Sequence, residues 1–328
     1  MTSYRTELPQ LSDRLFLTDG GIETTLIFQD GMELPDFAAF VLLSSPVGEI
    51  ALTRYFLTYA ELAERHRAGL VLESATWRAS ADWGARLGYD AIQLAEVNRK
   101  AIRMLDRIRR EYESATGPIV LSGCVGPRGD GYIPAARMTA EAAEAYHRAQ
   151  IETFAGTRAD MVTAITMNYV EEAIGIARAA RRAGMPVAIS FTLETDGRLP
   201  SGQTLAAAIR QVDAETGAGP AYYMINCAHP THFAGILEEG AAWTRRIRGL
   251  RANASCRSHA ELNEAADLDS GNPAELGAAY AELKRRFPEL VVLGGCCGTD
   301  PRHVDAMATA TRLLFPRATA PARRRPAA

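Results

Sequence analysis

The sequence predicts an α/β protein built as a single-domain (β/α)8 TIM barrel, and three observations support this. Eight short apolar runs recur along the 328 residues, each followed by turn-forming residues. Amphipathic helical patterns lie between most of these runs, and alternating strands and helices indicate a parallel sheet. The length suits a barrel of about 250 residues with insertions. An open, doubly wound sheet remains an alternative, because one sequence does not show whether the sheet closes.

The predicted elements follow from the spacing of apolar residues. The strands are expected at residues 15–18, 69–73, 119–122, 161–165, 187–191, 222–225, 249–252 and 290–293. A long helix is predicted at 91–111, because one face of it carries Ile92, Ala95, Ile102, Leu105 and Ile108. Further helices are predicted at 171–182 and 274–286.

Composition indicates an enzyme-sized globular protein rather than a nucleic-acid or membrane protein. We expect residues 1–315 to form the barrel and residues 316–328 to form a disordered basic tail, which holds Arg317, Arg323, Arg324 and Arg325. Without these four arginines the 36 basic residues fall to 32 against 39 acidic ones, so the net charge of the body is −7 rather than −3. A basic surface for nucleic acid is therefore not expected. No apolar stretch approaches the roughly 20 residues that span a bilayer.

The N-terminus lacks the apolar segment of a signal peptide, so the expected location is cytoplasmic. In that compartment the five cysteines are expected to be free or metal-bound rather than bridged. A homo-oligomer is compatible with a barrel of this size.

Three cysteines form the most informative pattern in the chain. Cys296 and Cys297 follow an apolar run and two glycines, and Cys227 follows another apolar run. Adjacent cysteines do not form an ordinary disulfide with each other, so a soft metal ion is their natural partner. Three thiolates would leave one position of a tetrahedral zinc ion open, as in catalytic sites. The alternative is that buried cysteines are small core residues, and this suits Cys124 and Cys256 better.

Polar residues gather at the predicted carboxyl ends of the strands, which face one mouth in a barrel. We therefore expect a substrate site that includes Asp19, Gly20, Glu73, Thr76, Trp77, Asn168, Tyr169 and Asn226. A carboxylate such as Asp19 would hold an ammonium group, although Asp-Gly-Gly is also a common turn. Trp77, Tyr132 and Tyr169 offer π faces to a methylated cation, or pack under loops. His229, His232 and His303 also follow strand ends, where they would support the site or cap helices.

With these residues in place, the chain resembles the zinc-dependent homocysteine S-methyltransferases, which include betaine–homocysteine and S-methylmethionine–homocysteine methyltransferases. The likeness runs from Asp19-Gly20-Gly21-Ile22-Glu23-Thr24 to Gly294-Gly295-Cys296-Cys297-Gly298-Thr299, and passes through Asn226-Cys227. By this resemblance Cys227, Cys296 and Cys297 match the family's zinc ligands, and Asp19 matches a substrate-contacting aspartate.

One departure from the family pattern concerns the substrate. The resemblance implies a glutamate at the end of the fourth strand that holds the amino group of homocysteine, and this chain has Ile165 there. A buried amine without its partner costs several kcal/mol, so another carboxylate must compensate or the acceptor is different. Asp19, Glu73 and Glu194, in the polar segment 193–202, are the candidate replacements.

The expected reaction moves a methyl group from a small onium donor to a thiol. The donor is S-methylmethionine, S-adenosylmethionine or a betaine, and homocysteine would give methionine. The acceptor sulfur would become the fourth zinc ligand, lose its proton and attack the methyl group in line, with the barrel aligning both substrates. The alternatives are a zinc thiol methyltransferase or demethylase for another substrate, and a zinc- or thiol-binding protein without turnover.

Overall fold

The chain forms a closed barrel of eight parallel strands. We analysed a computed structural model, which describes residues 4–265 and 267–316. The strands are β1 Phe16–Leu17, β2 Gly69–Glu73, β3 Ile119–Val125, β4 Met161–Met167, β5 Val187–Thr192, β6 Tyr222–Asn226, β7 Ile247–Ala252 and β8 Val292–Gly295. The strand order is sequential around the barrel.

Helices follow the strands and form the outer layer. They are α1 Ile22–Phe28, α2 Pro46–His66, α3 Ala81–Arg86, α4 Ala91–Thr116, α5 Ala140–Ala155, α6 Val170–Arg182, α7 Leu205–Thr216, α8 Pro230–Phe233, α9 His259–Asn263, α10 Pro273–Arg286 and α11 Pro301–Thr311. None of the helices in the described ranges has the length and apolar character needed to cross a membrane.

Pairing between the first and last strands closes the barrel. Phe16 pairs with Val292 and Leu17 with Leu293, in parallel register. The predicted TIM barrel is confirmed, and the alternative of an open doubly wound sheet is wrong. The strands are buried along nearly their whole length, because helices cover the outside and side chains fill the inside.

Several strands extend beyond the residues that the apolar pattern predicts. β3 continues to Val125 and β4 to Met167, so Cys124 and Thr166 lie within strands rather than in the loops that follow. β8 is displaced from the prediction and ends at Gly295. Small and polar residues continue these strands because neighbouring strands still supply their backbone hydrogen bonds.

One predicted core position is wrong. Ile92 is 80% exposed, although its periodicity placed it on the buried face of the long helix. Asp90 caps this helix through Gln93, so Ile92 lies in the first turn, which faces solvent. The buried face begins two residues later, at Leu94 and Val97.

Tyr280 of α10 fixes the ends of two strands at the mouth of the barrel. Its hydroxyl donates to the carbonyl of Gly294 at 2.6 Å and accepts from the backbone N–H of Ala252 at 2.8 Å. This buried contact holds the ends of β7 and β8 side by side, directly before Cys296. The predicted disordered tail lies almost entirely outside the described residues, which end at Pro316.

Candidate metal centre and barrel mouth

The structure brings the three sulfurs of the predicted metal site together. Cys227 follows β6, and Cys296 and Cys297 follow β8. Their Sγ atoms all lie within 4.8 Å of one another. Cys227 is buried, whereas Cys296 and Cys297 are partly exposed. The cluster therefore forms the floor of the mouth and is accessible from it.

Two of the five cysteines are bridged, which corrects the prediction that all of them are free or metal-bound. Cys227 and Cys296 form a disulfide whose Cα atoms are 5.4 Å apart, and Cys297 is free. The sequence separation of 69 residues hid this pairing, because only the closed barrel brings the ends of β6 and β8 together. The same proximity suits a disulfide or a shared metal ion. Cys124 is buried and Cys256 is exposed, and neither belongs to the cluster.

The backbone around the cluster is shaped to place these sulfurs. Cys227 has φ of 51° and Thr166, at the end of β4, has φ of 66°. Left-handed backbone is costly for residues with a Cβ and is concentrated at functional sites. Gly21 is required for close approach, since a Cβ there would meet the carbonyl oxygen of Cys296 at 2.5 Å.

Tyr132 and His259 lie against the cysteine cluster. The Tyr132 hydroxyl is 3.7 Å from Sγ of Cys297, and its ring is 4.2 Å from the His259 ring. Nε2 of His259 donates to the carbonyl of Cys227 at 2.5 Å, and its Nδ1 lies 3.3 Å from Glu194. His259 therefore links Glu194 to the backbone of a predicted ligand. No sequence motif indicated His259, because it begins the short helix α9 and does not directly follow a strand.

A buried ion-pair cluster occupies the base of the mouth, and sequence reasoning did not anticipate its cation. Nη2 of Arg251 donates to Asp19 at 2.6 Å, and its Nη1 donates to Glu73. The Tyr55 hydroxyl also donates to Asp19, at 3.1 Å. Burial raises the pKa values of Asp19 and Glu73, and the charge of Arg251 opposes that shift. The sequence did contain one indication of this cluster, because Arg251 is a charged residue within the predicted apolar strand 249–252.

The predicted substrate residues Thr76, Asn168 and Asn226 are buried and largely occupied by protein contacts. Thr76 donates to the carbonyl of Cys124 at 2.8 Å. Asn226 accepts from Ser190 at 2.6 Å and donates to Thr166 at 2.9 Å. Asn168 donates to the carbonyl of Asp130 at 2.8 Å, and its Oδ1 has no partner among the described residues. These contacts fix the loops around the mouth.

The three aromatic residues predicted to receive a methylated cation already have neighbours. The guanidinium of Arg78 lies 4.0 Å from the Trp77 ring, while Nε1 of Trp77 donates to the carbonyl of Ile165. The hydroxyl of Tyr169 accepts from the Met138 backbone, and this side chain is buried. Tyr132 is the aromatic residue that lies beside the cysteine cluster.

The remaining predicted residues lie near the mouth or cap helices. Gly20 passes so close to Thr299 and Tyr59 that a Cβ would lie 2.8 Å from an oxygen of each. His229 caps α8, His303 lies in the capping box of α11, and His232 contacts the carbonyl of Cys256. These three histidines stabilise loops and helix ends.

Comparison with known proteins identifies the family. The family model described as homocysteine S-methyltransferase matches residues 16–311, which is nearly the whole barrel. The chain belongs to the homocysteine S-methyltransferase family. The members of this family are methyltransferases, so the predicted enzyme class is confirmed.

Curated relatives and solved structures agree with this assignment. The chain is 25% identical to homocysteine S-methyltransferase 4 of Zea mays, covering 90% of this chain and 89% of the relative. It is 26% identical to homocysteine S-methyltransferase of Escherichia coli, and the match covers 89% of this chain and 94% of the relative.

Among solved structures, the fold matches homocysteine methyltransferase MmuM of Escherichia coli. The oxidised form gives a TM-score of 0.69 at 20% identity, with 92% of this chain and 97% of that chain covered. The metallated form gives a TM-score of 0.67 at 19% identity, with 92% of this chain and 97% of that chain covered.

The residues of the cluster fit a thiophilic metal ion. Three sulfur ligands from two strand ends are a donor set suited to zinc, with one position left for a substrate. The hydrogen-bond partners of the cluster, Tyr132 at Cys297 and His259 at the carbonyl of Cys227, resemble the outer contacts that orient metal ligands.

Proposed function

We propose that this protein is a zinc-dependent methyltransferase that transfers a methyl group from a small onium donor to the thiol of homocysteine, giving methionine. The observation that carries this proposal is the convergence of Cys227, Cys296 and Cys297 at the carboxyl ends of β6 and β8. Membership of the homocysteine S-methyltransferase family supports the acceptor. Zinc held by three thiolates would lower the pKa of a substrate thiol at its open position.

The residues around the cluster would position the two substrates. The partly exposed Cys296 and Cys297 face the mouth, where the acceptor sulfur enters. The acceptor loses the proton of its S–H group to solvent, a sulfur–methyl bond forms, and the bond between the methyl group and the onium atom breaks. The donor leaves as a neutral thioether or amine. The negative charge of the thiolate and the positive charge of the onium donor are both neutralised as the methyl group moves between them. Alignment of the two substrates and exclusion of water would therefore supply much of the acceleration.

The donor is S-methylmethionine, S-adenosylmethionine or a betaine, and we propose a cytoplasmic location. All three donors present a methyl group on a cationic atom. A test of the whole proposal therefore has to vary the donor as well as the acceptor.

The test measures zinc content and methyl transfer together. Reduced wild-type protein, Cys297→Ala and the control Cys256→Ala are each assayed with homocysteine, selenohomocysteine and simple thiols against the three donors. We expect zinc and methionine formation in the wild type and in Cys256→Ala, and neither in Cys297→Ala. Stoichiometric zinc without turnover of homocysteine would reject this acceptor, and absence of zinc would reject the mechanism.

A second candidate function is favoured by one residue. Ile165 is 8% exposed and carries no charge, so this position of β4 offers no carboxylate to an ammonium group. A thiol that lacks an amino group would fit against this apolar side chain. If this alternative holds, Ile165→Glu should greatly increase turnover of homocysteine. If homocysteine is already the substrate, the substitution should change little.

A further inference from the structure

Glu23 places a carboxylate in the barrel mouth without a cationic partner. It lies in the first turn of α1, four residues after Asp19 and immediately after the loop that packs against Cys296. Its side chain is partly buried. Within residues 4–265 and 267–316, it makes no ion pair and no hydrogen bond to another side chain. Partial burial of a charged carboxylate is costly unless a cation approaches it.

Other carboxylates around the mouth are engaged by the protein itself. Arg251 binds both Asp19 and Glu73 through different guanidinium nitrogens. Glu194 is closer to the surface and lies 3.3 Å from Nδ1 of His259. These three were the candidate replacements for the missing charge at position 165. Glu23 differs from them because its charge is not offset by a direct contact.

The segment that holds Glu23 packs directly against the backbone of the cysteine cluster. Thr24, the next residue, accepts a hydrogen bond from the backbone N–H of Gly298, which follows Cys297, at 3.2 Å. Gly21, two residues before Glu23, lies so close to Cys296 that a Cβ would meet its carbonyl oxygen at 2.5 Å. The segment therefore brings Glu23 to the same side of the barrel as the predicted acceptor position.

The buried arginine near Glu23 does not neutralise it by contact. The Arg78 guanidinium lies 4.0 Å from the Trp77 ring and 3.6 Å from the Trp83 ring, and donates to the carbonyl of Gly129. Its geometry is fixed by these three neighbours. The carboxylate of Glu23 is therefore open to a cationic group of a ligand.

We propose that Glu23 binds the ammonium group of an amino-acid thiol while the sulfur of that thiol lies at the cysteine cluster. This inference rests on the proposed function and deepens it, because it names the residue that would select an acceptor with an amino group. Glu23 would then supply the charge that Ile165 does not. It is a specificity-determining residue, since it distinguishes acceptors by a group remote from the reacting sulfur.

The test compares two thiols that differ only in the amino group. Binding of L-homocysteine and of 4-mercaptobutanoate to the zinc-loaded full chain is measured by calorimetry, for wild type, Glu23→Gln and the control Glu33→Gln. Glu33 is an exposed carboxylate that follows α1. We expect Glu23→Gln to weaken homocysteine binding at least tenfold and to change binding of 4-mercaptobutanoate less than twofold. The control should match the wild type for both thiols.

Equal weakening of both thiols, or of neither, would overturn the inference. A loss confined to binding of S-methylmethionine would overturn it too, because Glu23 would then serve the donor. Zinc content and circular dichroism establish that each variant is folded. If Glu23→Gln does not fold, Glu23→Asp is measured instead, and an intermediate loss of homocysteine binding is expected. Adding Ile165→Glu to Glu23→Gln should restore selectivity for homocysteine.

The two proposals fail in different ways. Selective binding of homocysteine without turnover by any donor would reject methyl transfer and leave the role of Glu23 intact. Turnover of homocysteine with unchanged binding in Glu23→Gln would support methyl transfer and reject the role of Glu23.

Discussion

Arg251 donates to Asp19 at 2.6 Å in the buried base of the barrel mouth, and its other terminal nitrogen donates to Glu73. Burial by itself would lower the pKa of Arg251, but the two carboxylates raise it above its usual value. The cation on β7 thereby joins the ends of β1 and β2. Two acidic residues that the sequence assigned to substrate binding are thus also part of the structure of the barrel.

Arg251→Met should destabilise the protein strongly. The substitution leaves the buried Asp19 and Glu73 without a cation, and breaking a buried ion pair in this way costs about 3–5 kcal/mol. The free energy of unfolding, measured by denaturant titration at pH 7.5, checks this prediction. The matched control is Arg210→Met on the exposed side of α7, which should change stability by less than about 0.5 kcal/mol. Similar values for both variants would contradict the structural role of Arg251.

The reduced protein should bind one zinc ion per chain, and the oxidised protein should bind none. Cys227 and Cys296 use the same sulfur atoms for the disulfide and for the metal, so the two states exclude each other. Zinc is measured by elemental analysis after gel filtration, with and without prior reduction. Cys227→Ala should abolish stoichiometric zinc binding, and Cys256→Ala should retain it. Zinc bound by the oxidised chain would show that the ion lies elsewhere.

Tyr132→Phe should weaken zinc binding without unfolding the protein. The hydroxyl lies 3.7 Å from Sγ of Cys297, and loss of such an outer contact typically costs about 10-fold to 100-fold in metal affinity. Competition with a chromophoric chelator measures the affinity. Tyr89→Phe, which removes a hydroxyl bonded to Ser44 far from the cluster, is the control. An unchanged zinc affinity in Tyr132→Phe would mean that the hydroxyl serves the substrate instead.

Glu23→Gln should stabilise the substrate-free protein above pH 7 and have little effect below pH 4.5. Burial, with a smaller contribution from Asp19, raises the pKa of Glu23 from 4.5 to about 7. Between these values the folded protein retains a proton that the unfolded chain has released, so stability falls as pH rises through this range. Glutamine removes that dependence.

The gain at pH 8 should be on the order of 1 kcal/mol, because one pKa unit corresponds to about 1.4 kcal/mol and this carboxyl is partly solvated. Thermal unfolding of the zinc-loaded protein at pH 4.5, 6 and 8 measures it, with Glu33→Gln as the control. A gain in stability that is the same at all three pH values would show that Glu23 is not the titrating group. Stabilisation together with weaker homocysteine binding would mean that the wild type trades stability for a substrate contact.

The chain sequence was sufficient for the fold and for the cysteine set. Alternation of apolar runs with helical periodicity is a local signal, and it predicted all eight strands to within a few residues. The cysteine motifs are also local signals, because each directly follows a predicted strand. Cys296 and Cys297 are flanked by glycines after one strand, and Cys227 follows another.

The partners of those residues were decided by the tertiary structure. Arg251 meets Asp19 across 232 residues and Glu73 across 178 residues, and a single sequence carries no record of such contacts. The disulfide and the contact of His259 with Cys227 depend on barrel closure in the same way. Glu23 was visible within the Asp19–Thr24 motif, but its unpaired charge was not. Whether a buried charge is neutralised depends on atoms that only the folded chain brings within a few ångströms, and that decides which carboxylate is left for a substrate.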